Sequence, residues 1–141
     1  EQPIAKGQFD VMEDLCRRSP VPIALDEELI GITEKKDRVE LLDKIIPQYL
    51  ILKPSLLGGF RSCEEWIALA TERSIGWWVT SALESNIGLN AIAQWTFSLG
   101  INSHQGLGTG TLFINNFESP LEVRNGILNF NSSKNWNFPF L

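Results

Sequence analysis

The apolar residues of this chain follow two alternating patterns: short continuous runs and longer segments with helical spacing. The continuous runs occupy residues 22–25, 49–52 and 76–79. The segments with apolar residues three or four positions apart contain Phe9, Met12 and Cys16; Val39, Leu42, Ile45 and Ile46; Phe60, Cys63, Ile67 and Ala70; and Ile92, Trp95 and Leu99. Continuous runs are typical of strands buried on both faces, and the spaced segments of amphipathic helices. The sequence therefore predicts parallel strand–helix units and an α/β fold.

Polar residues follow each predicted strand at its carboxyl end. Asp26 follows the first run, Lys53 the second, and Thr80 and Ser81 the third. In parallel α/β folds the chemistry gathers at these ends, either at the mouth of a barrel or at the edge of an open sheet. Three strands with partial ones at each end are too few to close a barrel of eight, so the chain by itself would form half a barrel or a small open sheet.

The alternation ends after Phe117. Residues 118–141 are rich in Asn, Ser and aromatic residues, and residues 121–123 and 126–128 are the two possible strands there. We therefore predict a barrel portion over residues 1–117 and a tail segment over residues 118–141.

Composition narrows the classes of partner. Twelve Lys and Arg against seventeen Asp and Glu give a net charge of −5, with no basic run that could follow a phosphate backbone, which disfavours nucleic acid. No apolar stretch approaches the roughly 20 residues of a membrane-spanning helix. Cys16 and Cys63 lie in helical segments without metal-ligand or disulfide spacing, which indicates free thiols and a cytoplasmic protein.

Three residues could carry chemistry on spacing alone. Glu1 and Asp26 are one strand–helix unit apart, so both carboxylates could face one pocket and bind a hard cation such as Mg²⁺. Lys53 lies one further unit along the chain, where its ammonium could stabilise an oxyanion or exchange a proton. The structural alternatives are a helix cap or solvated loop for the two acids and a lysine extended into solvent for Lys53.

Other motifs are weaker. The glycines at 106, 108 and 110 could point backbone N–H groups at an anion, although such a segment is more often only a turn. His104 is the only histidine, and no nucleophile-elbow motif is present, which disfavours nucleophilic catalysis and zinc binding. The five tryptophans are assigned to core packing, and Trp77 and Trp78 could also line a pocket.

Five segments in register resemble the C-terminal part of the enolase superfamily, in particular its muconate-lactonizing-enzyme subgroup and, within it, the o-succinylbenzoate synthases. The resemblance spans residues 1–117. The segments are Glu-Gln-Pro at 1–3, Ile-Ala-Leu-Asp-Glu-Glu at 23–28, Leu-Lys-Pro-Ser-Leu-Leu-Gly-Gly at 52–59, Thr-Ser-Ala-Leu-Glu-Ser-Asn-Ile-Gly-Leu at 80–89, and Gly-Leu-Gly-Thr-Gly at 106–110.

The resemblance implies a fold and a set of roles. In that family a capping domain precedes a (β/α)₇β barrel, and acidic residues on the third, fourth and fifth strands hold Mg²⁺. Glu1 matches the fourth-strand ligand, Asp26 the fifth-strand ligand, and Lys53 the sixth-strand lysine that steadies the enediolate as a cation. The residues that match the substrate-contacting ends of strands seven and eight are Thr80, Ser81, Gly106 and Gly108.

Parts of the family pattern have no counterpart in the chain: the second-strand Lys-x-Lys motif, the third-strand Asp and the capping domain. We therefore expect the natural protein to extend upstream by more than about 150 residues, given the usual size of such a barrel. The fold expected for the chain is the C-terminal half of a (β/α)₇β TIM-type barrel, with a tail that would pack on the missing capping domain.

The function implied by the resemblance is that of an Mg²⁺-dependent dehydratase of menaquinone biosynthesis, acting through an enediolate on a small-molecule carboxylate. One alternative is an epimerase or racemase of N-acylamino acids or dipeptides, built on the same barrel. A second alternative is an inert structural fragment that needs its N-terminal half. The absence of an acid from residues 106–110 favours the dehydratase over the dipeptide epimerase.

Overall fold

The structure is a computed structural model that describes residues 1–138, apart from the side chain of residue 111. Its helices are α1 (Phe9–Arg18), α2 (Lys35–Ile45), α3 (Pro54–Leu57), α4 (Phe60–Glu72) and α5 (Asn86–Ser98). Its strands are β1 (Ala24–Leu25), β2 (Tyr49–Leu52), β3 (Gly76–Val79), β4 (Leu121–Arg124) and β5 (Ile127–Phe130). Short 3₁₀ helices span Glu27–Leu29 and Thr109–Thr111. The chain divides into two compact units, with the boundary between Thr80 and Ser81.

The first unit is built on a parallel sheet with the strand order β1-β2-β3. Leu25 pairs with Leu50, and Leu52 with Val79. These four side chains are fully buried, and burying an apolar side chain of this size stabilises the fold by about 1.5–3 kcal/mol. Because each strand is reached through a helical connection, the three strands run in the same direction and their carboxyl ends share one edge of the sheet. The predicted α/β fold is therefore confirmed.

Pro47 ends α2 as its position predicts, but Ile46 does not belong to the apolar face of the helix. Ile46 was expected on the buried face of this helix, but it lies outside the helix in the left-handed conformation with φ +51° and is exposed. Pro47 disfavours helical geometry at the residue before it, which explains why the helix ends at Ile45.

The buried face of α4 also differs from the expected one. Cys63 and Ala70 are buried as predicted, whereas Phe60 and Ile67 are not. Trp66 and Leu69 take their place in the core. The helix thus turns its largest side chain inward, because burying an indole removes more apolar surface from water than burying an isoleucine.

Both cysteines are free thiols in the core of the first unit. Burial raises the pKa of Cys16, and burial raises the pKa of Cys63 to about 12 against the opposing effect of the Arg38 charge. Below the ordinary value of 9.0 the Cys63 thiol is protonated in both the folded and the unfolded chain. Between 9.0 and about 12 only the unfolded chain releases the proton, so the folded state loses stability as pH rises through that window.

We therefore expect a thiol reagent such as Ellman's reagent to leave Cys16 and Cys63 unmodified at pH 8 while the protein is folded. In denaturant both thiols should react at the rate of free cysteine. The chromophore released over time measures the difference. Rapid modification of either residue in the folded protein would contradict its placement in the core.

The second unit contains α5 and an antiparallel hairpin of β4 and β5. Asn125 and Gly126 join the two strands with φ +52° and +75°, the left-handed pair that a two-residue hairpin turn requires. The two strands predicted in the tail are thus confirmed. The division of the chain into a barrel portion and a tail after residue 117 stays a prediction.

Within residues 1–138, no helix is both long enough and apolar enough to span a bilayer.

Candidate active site

Asp26 and Lys53 meet at the carboxyl edge of the parallel sheet. Each follows the last residue of a strand, and β1 and β2 are hydrogen-bonded neighbours. The Nζ of Lys53 donates a hydrogen bond to Oδ2 of Asp26. The two side chains are only 21% and 10% exposed, so the ion pair is partly shielded from water. The predicted proximity of these two residues is confirmed.

Local hydrogen bonds fix the backbone on both sides of this pair. The backbone N–H of Leu29 donates to the carbonyl of Asp26 at 3.0 Å and closes the 3₁₀ turn that follows β1. The carbonyl of Lys53 accepts from Leu56 and Leu57 at 2.9 and 3.0 Å, and Pro54 opens α3 without needing a backbone partner. Both side chains therefore project from turns that begin as soon as the strand ends.

The segment that carries Glu1 lies beside β1. The backbone N–H of Gln2 donates to the carbonyl of Ala24 at 2.8 Å, which ties this segment to β1, the strand that precedes Asp26. Glu1 itself is exposed. Residues 1–3 do not form a strand in the structure, and the role of Glu1 as a metal ligand stays a prediction.

The oxygen chemistry of this edge fits a hard cation. Carboxylate oxygens are the ligands that Mg²⁺ prefers, and Lys53 contacts only Oδ2 of Asp26, so that Oδ1 has no hydrogen bond from any described residue. Across residues 1–138 no three acidic, histidine or cysteine side chains cluster closely enough to hold a metal. The assignment of Glu1 and Asp26 as magnesium ligands stays a prediction.

Two residues near Asp26 were not found from the sequence. The side-chain amide of Gln2 hydrogen-bonds to the Asp26 turn and to Glu28, and Glu28 is a buried carboxylate. The sequence offered two signals for these residues. Gln2 directly follows a candidate ligand, and three consecutive acids follow a buried strand, of which the structure exposes only Glu27.

The predicted substrate-contacting residues fall in both units. Thr80 follows β3, and its backbone N–H donates to the carbonyl of Leu52 at 3.0 Å. In the second unit the backbone N–H of Ser81 donates to the carbonyl of Gly106 at 2.9 Å, and the Ser81 hydroxyl lies 2.7 Å from that of Thr109. Gly108 is exposed and precedes a 3₁₀ turn. Contact of these residues with substrate stays a prediction.

Gly110 has a packing role. A Cβ added at this position would collide with the side chains of Asn86 and Leu89, both on α5. Glycine is therefore required at position 110 because the backbone there lies close against α5. This finding differs from the interpretation of Gly110 as part of an anion-facing turn.

Comparison with known proteins agrees with this architecture. The sequence profile described as Enolase C-terminal domain-like matches residues 1–133. An o-succinylbenzoate synthase of Desulfotalea psychrophila is 58% identical over 91% of the chain, which covers 34% of that protein. An o-succinylbenzoate synthase of Mycobacterium leprae is 30% identical over 88% of the chain and 39% of its own length. The chain therefore spans about a third of the curated relatives that it matches.

Solved structures show the same fold. The crystal structure of MenC from Desulfotalea psychrophila has a TM-score of 0.86 and 57% identity, covering 90% of this chain and 35% of that protein. Muconate lactonizing enzyme from Pseudomonas putida has a TM-score of 0.78 and 25% identity, with 90% and 35% coverage. The parallel sheet, the strand-end pair and these matches agree that the chain belongs to the enolase C-terminal domain-like family.

Proposed function

We propose that the complete polypeptide containing this chain is a carbon–oxygen lyase, an Mg²⁺-dependent o-succinylbenzoate synthase. The proposal is supported by the 58% identity to the synthase of Desulfotalea psychrophila. The observation that carries it is the contact between Lys53 and Asp26 at the ends of adjacent strands. Dehydration next to a substrate carboxylate requires a positive charge that stabilises the developing negative charge and a protein carboxylate that holds the metal ion. Lys53 and Asp26 are groups of these two kinds.

Glu1 and Asp26 are the residues of this chain that would hold the magnesium ion. A bound Mg²⁺ would polarise a substrate carboxylate and lower the free energy of the charge that develops when the adjacent carbon loses its proton. Asp26 has a buried carboxylate with one oxygen free of hydrogen bonds from the described residues, which suits this role.

Lys53 would act on the substrate as a fixed positive charge. The substrate is a cyclohexadiene that carries a carboxylate, a succinyl chain and a hydroxyl on the β-carbon. The α-carbon–hydrogen bond breaks and its proton passes to a base outside this chain. The Lys53 ammonium stabilises the negative charge left behind, and the β-carbon–oxygen bond then breaks to release hydroxide, which takes up a proton and leaves as water.

Four residues of this chain would take part in substrate binding. Thr80, Ser81, Gly106 and Gly108 would contact the succinyl side of the substrate. Because the chain covers only 34% and 39% of the two relatives, we assign the activity to the complete polypeptide and expect the 141-residue chain to be inactive alone. The pathway would be menaquinone biosynthesis, and the two buried free thiols suit a reducing cytoplasm.

The test is an assay of the complete polypeptide with the hydroxycyclohexadiene carboxylate, following the aromatic product by ultraviolet absorbance. We expect turnover in the presence of Mg²⁺, loss of turnover with a chelator, and recovery when Mg²⁺ is added back. Racemisation of N-acylamino acids without dehydration of the cyclohexadiene would overturn the proposal in favour of the epimerase.

A further inference from the structure

The side-chain amide of Gln2 hydrogen-bonds at both of its ends. Its Oε1 accepts from the backbone N–H groups of Asp26 at 3.1 Å and Glu28 at 3.4 Å. Its Nε2 donates to Oε2 of Glu28 at 3.1 Å and to the carbonyl of Ile4 at 3.0 Å. One side chain thus ties the segment that carries Glu1 to the turn that carries Asp26.

Gln2 is held in an unfavourable backbone conformation. Its φ is +31°, in the left-handed region that residues other than glycine rarely occupy. Such a conformation is energetically unfavourable and persists only where surrounding contacts fix it. The backbone N–H of Gln2, which donates to the carbonyl of Ala24, and the four contacts of its side chain are those contacts.

Glu28 completes the arrangement from the other side. It is only 4% exposed, and its carboxylate accepts from Nε2 of Gln2 and, through Oε1, from the backbone N–H of Gly7 at 2.7 Å. A carboxylate this well buried requires hydrogen-bond donors, and both of these come from the segment that follows Glu1. Glu28 therefore anchors that segment and Gln2 together.

We propose that Gln2 is a positioning residue that, with Glu28 as its anchor, holds the backbone of Glu1 and Asp26 at a fixed separation for cation binding. The inference rests on the proposed function, because it takes Glu1 and Asp26 as the magnesium ligands. Gln2 touches neither the cation nor the substrate in this arrangement. Its effect passes through the Asp26 backbone N–H and through its own strained backbone next to Glu1.

The first test replaces Gln2 by methionine in the complete polypeptide and measures Mg²⁺ affinity by calorimetry without substrate. Methionine keeps the length of the side chain and removes all four side-chain hydrogen bonds. We expect the affinity to fall about 10- to 100-fold, the range found when outer partners of metal ligands are removed. The matched control is Gln8→Met, because Gln8 lies on the same segment and, among residues 1–138, its side chain donates only to the carbonyl of Ala5.

A second pair of variants separates hydrogen bonding from charge. Glu28→Gln and Glu28→Met both remove the negative charge, but only glutamine keeps an acceptor oxygen, which can accept from one of the two donors, Nε2 of Gln2 or the backbone N–H of Gly7. We expect Glu28→Gln to retain more Mg²⁺ affinity than Glu28→Met, with the latter falling to the level of Gln2→Met. This pair also serves as the test if Gln2→Met does not fold, as judged by thermal unfolding.

The outcomes distinguish the two proposals. If the unmodified polypeptide binds no Mg²⁺, both the proposed function and this positioning role are wrong. If it binds Mg²⁺ and Gln2→Met or Glu28→Met binds equally tightly, only the positioning role is wrong. A fall in melting temperature with unchanged affinity would show that the network stabilises the fold alone, and would equally overturn the role.

Discussion

Replacing Lys53 by alanine in the complete polypeptide is expected to lower the turnover number of the proposed dehydration by about 10²- to 10³-fold, the loss typical when one stabilising partner of a developing negative charge is removed. Lys53 is the only cation that contacts Asp26 within residues 1–138. The measurement is a steady-state assay at saturating Mg²⁺, so that a change in metal affinity does not contribute to the loss.

Two further variants make the Lys53 test specific. Lys53→Arg keeps the positive charge and should retain more activity than Lys53→Ala, while Lys36→Ala should leave turnover unchanged because the Lys36 side chain is 79% exposed on α2. The alanine variant also leaves the buried Asp26 carboxylate without its cation, so thermal unfolding must confirm that the variant is folded. Turnover close to that of the unmodified enzyme would show that Lys53 does not act on the substrate.

Replacing Arg38 by alanine is expected to lower the free energy of unfolding by about 3 kcal/mol, because several buried groups lose their donor at once. Arg38 is only 3% exposed. It donates to the carbonyls of Ile32 and Ser62, to the Ser62 hydroxyl and to Glu65, linking α2 to α4. Its guanidinium carbon also lies 5.1 Å from the centre of a Trp66 ring.

Helix α4, which Arg38 contacts, offers a matched control. Arg61 also faces Glu65, at 3.7 Å, but its side chain is 92% exposed. Arg61→Ala should therefore change the free energy of unfolding by less than about 0.5 kcal/mol. The difference between the two variants, measured by denaturant unfolding of the complete polypeptide, gives the contribution of the buried hydrogen bonds. Equal effects would mean that the contacts of Arg38 in the core are not significant for stability.

The main elements of the first unit could be predicted because their signals are local. The runs at 49–52 and 76–79 became β2 and β3 with the same bounds, since short continuous apolar runs are typical of strands in a parallel sheet. The meeting of Asp26 and Lys53 followed from the same reasoning, because parallel strands place their carboxyl ends at one edge. Ile46 shows the limit of this approach, since Pro47 outweighed the apolar spacing.

The hydrogen-bond network around the pair of Asp26 and Lys53 could not be predicted. Gln2 meets Asp26 across 24 positions and Glu28 across 26, and neither contact leaves a periodic trace in the sequence. Arg38 likewise looks like a solvated residue on α2, and only its contacts with α4 bring it into the core. Hydrogen bonds between distant residues depend on how the elements pack, which is not encoded in local spacing.

The sequence by itself determined the order of strands and helices, the polar residues that end each strand, and the resemblance to the enolase superfamily, because each of these depends on neighbouring residues or on motifs in register. The tertiary structure decided which face of α4 is buried, that Gly110 packs against α5, and that Gln2, Glu28 and Arg38 are structural partners. These features depend on side chains that packing brings together. The burial of apolar surface and the requirement that buried polar groups form hydrogen bonds select one arrangement among many.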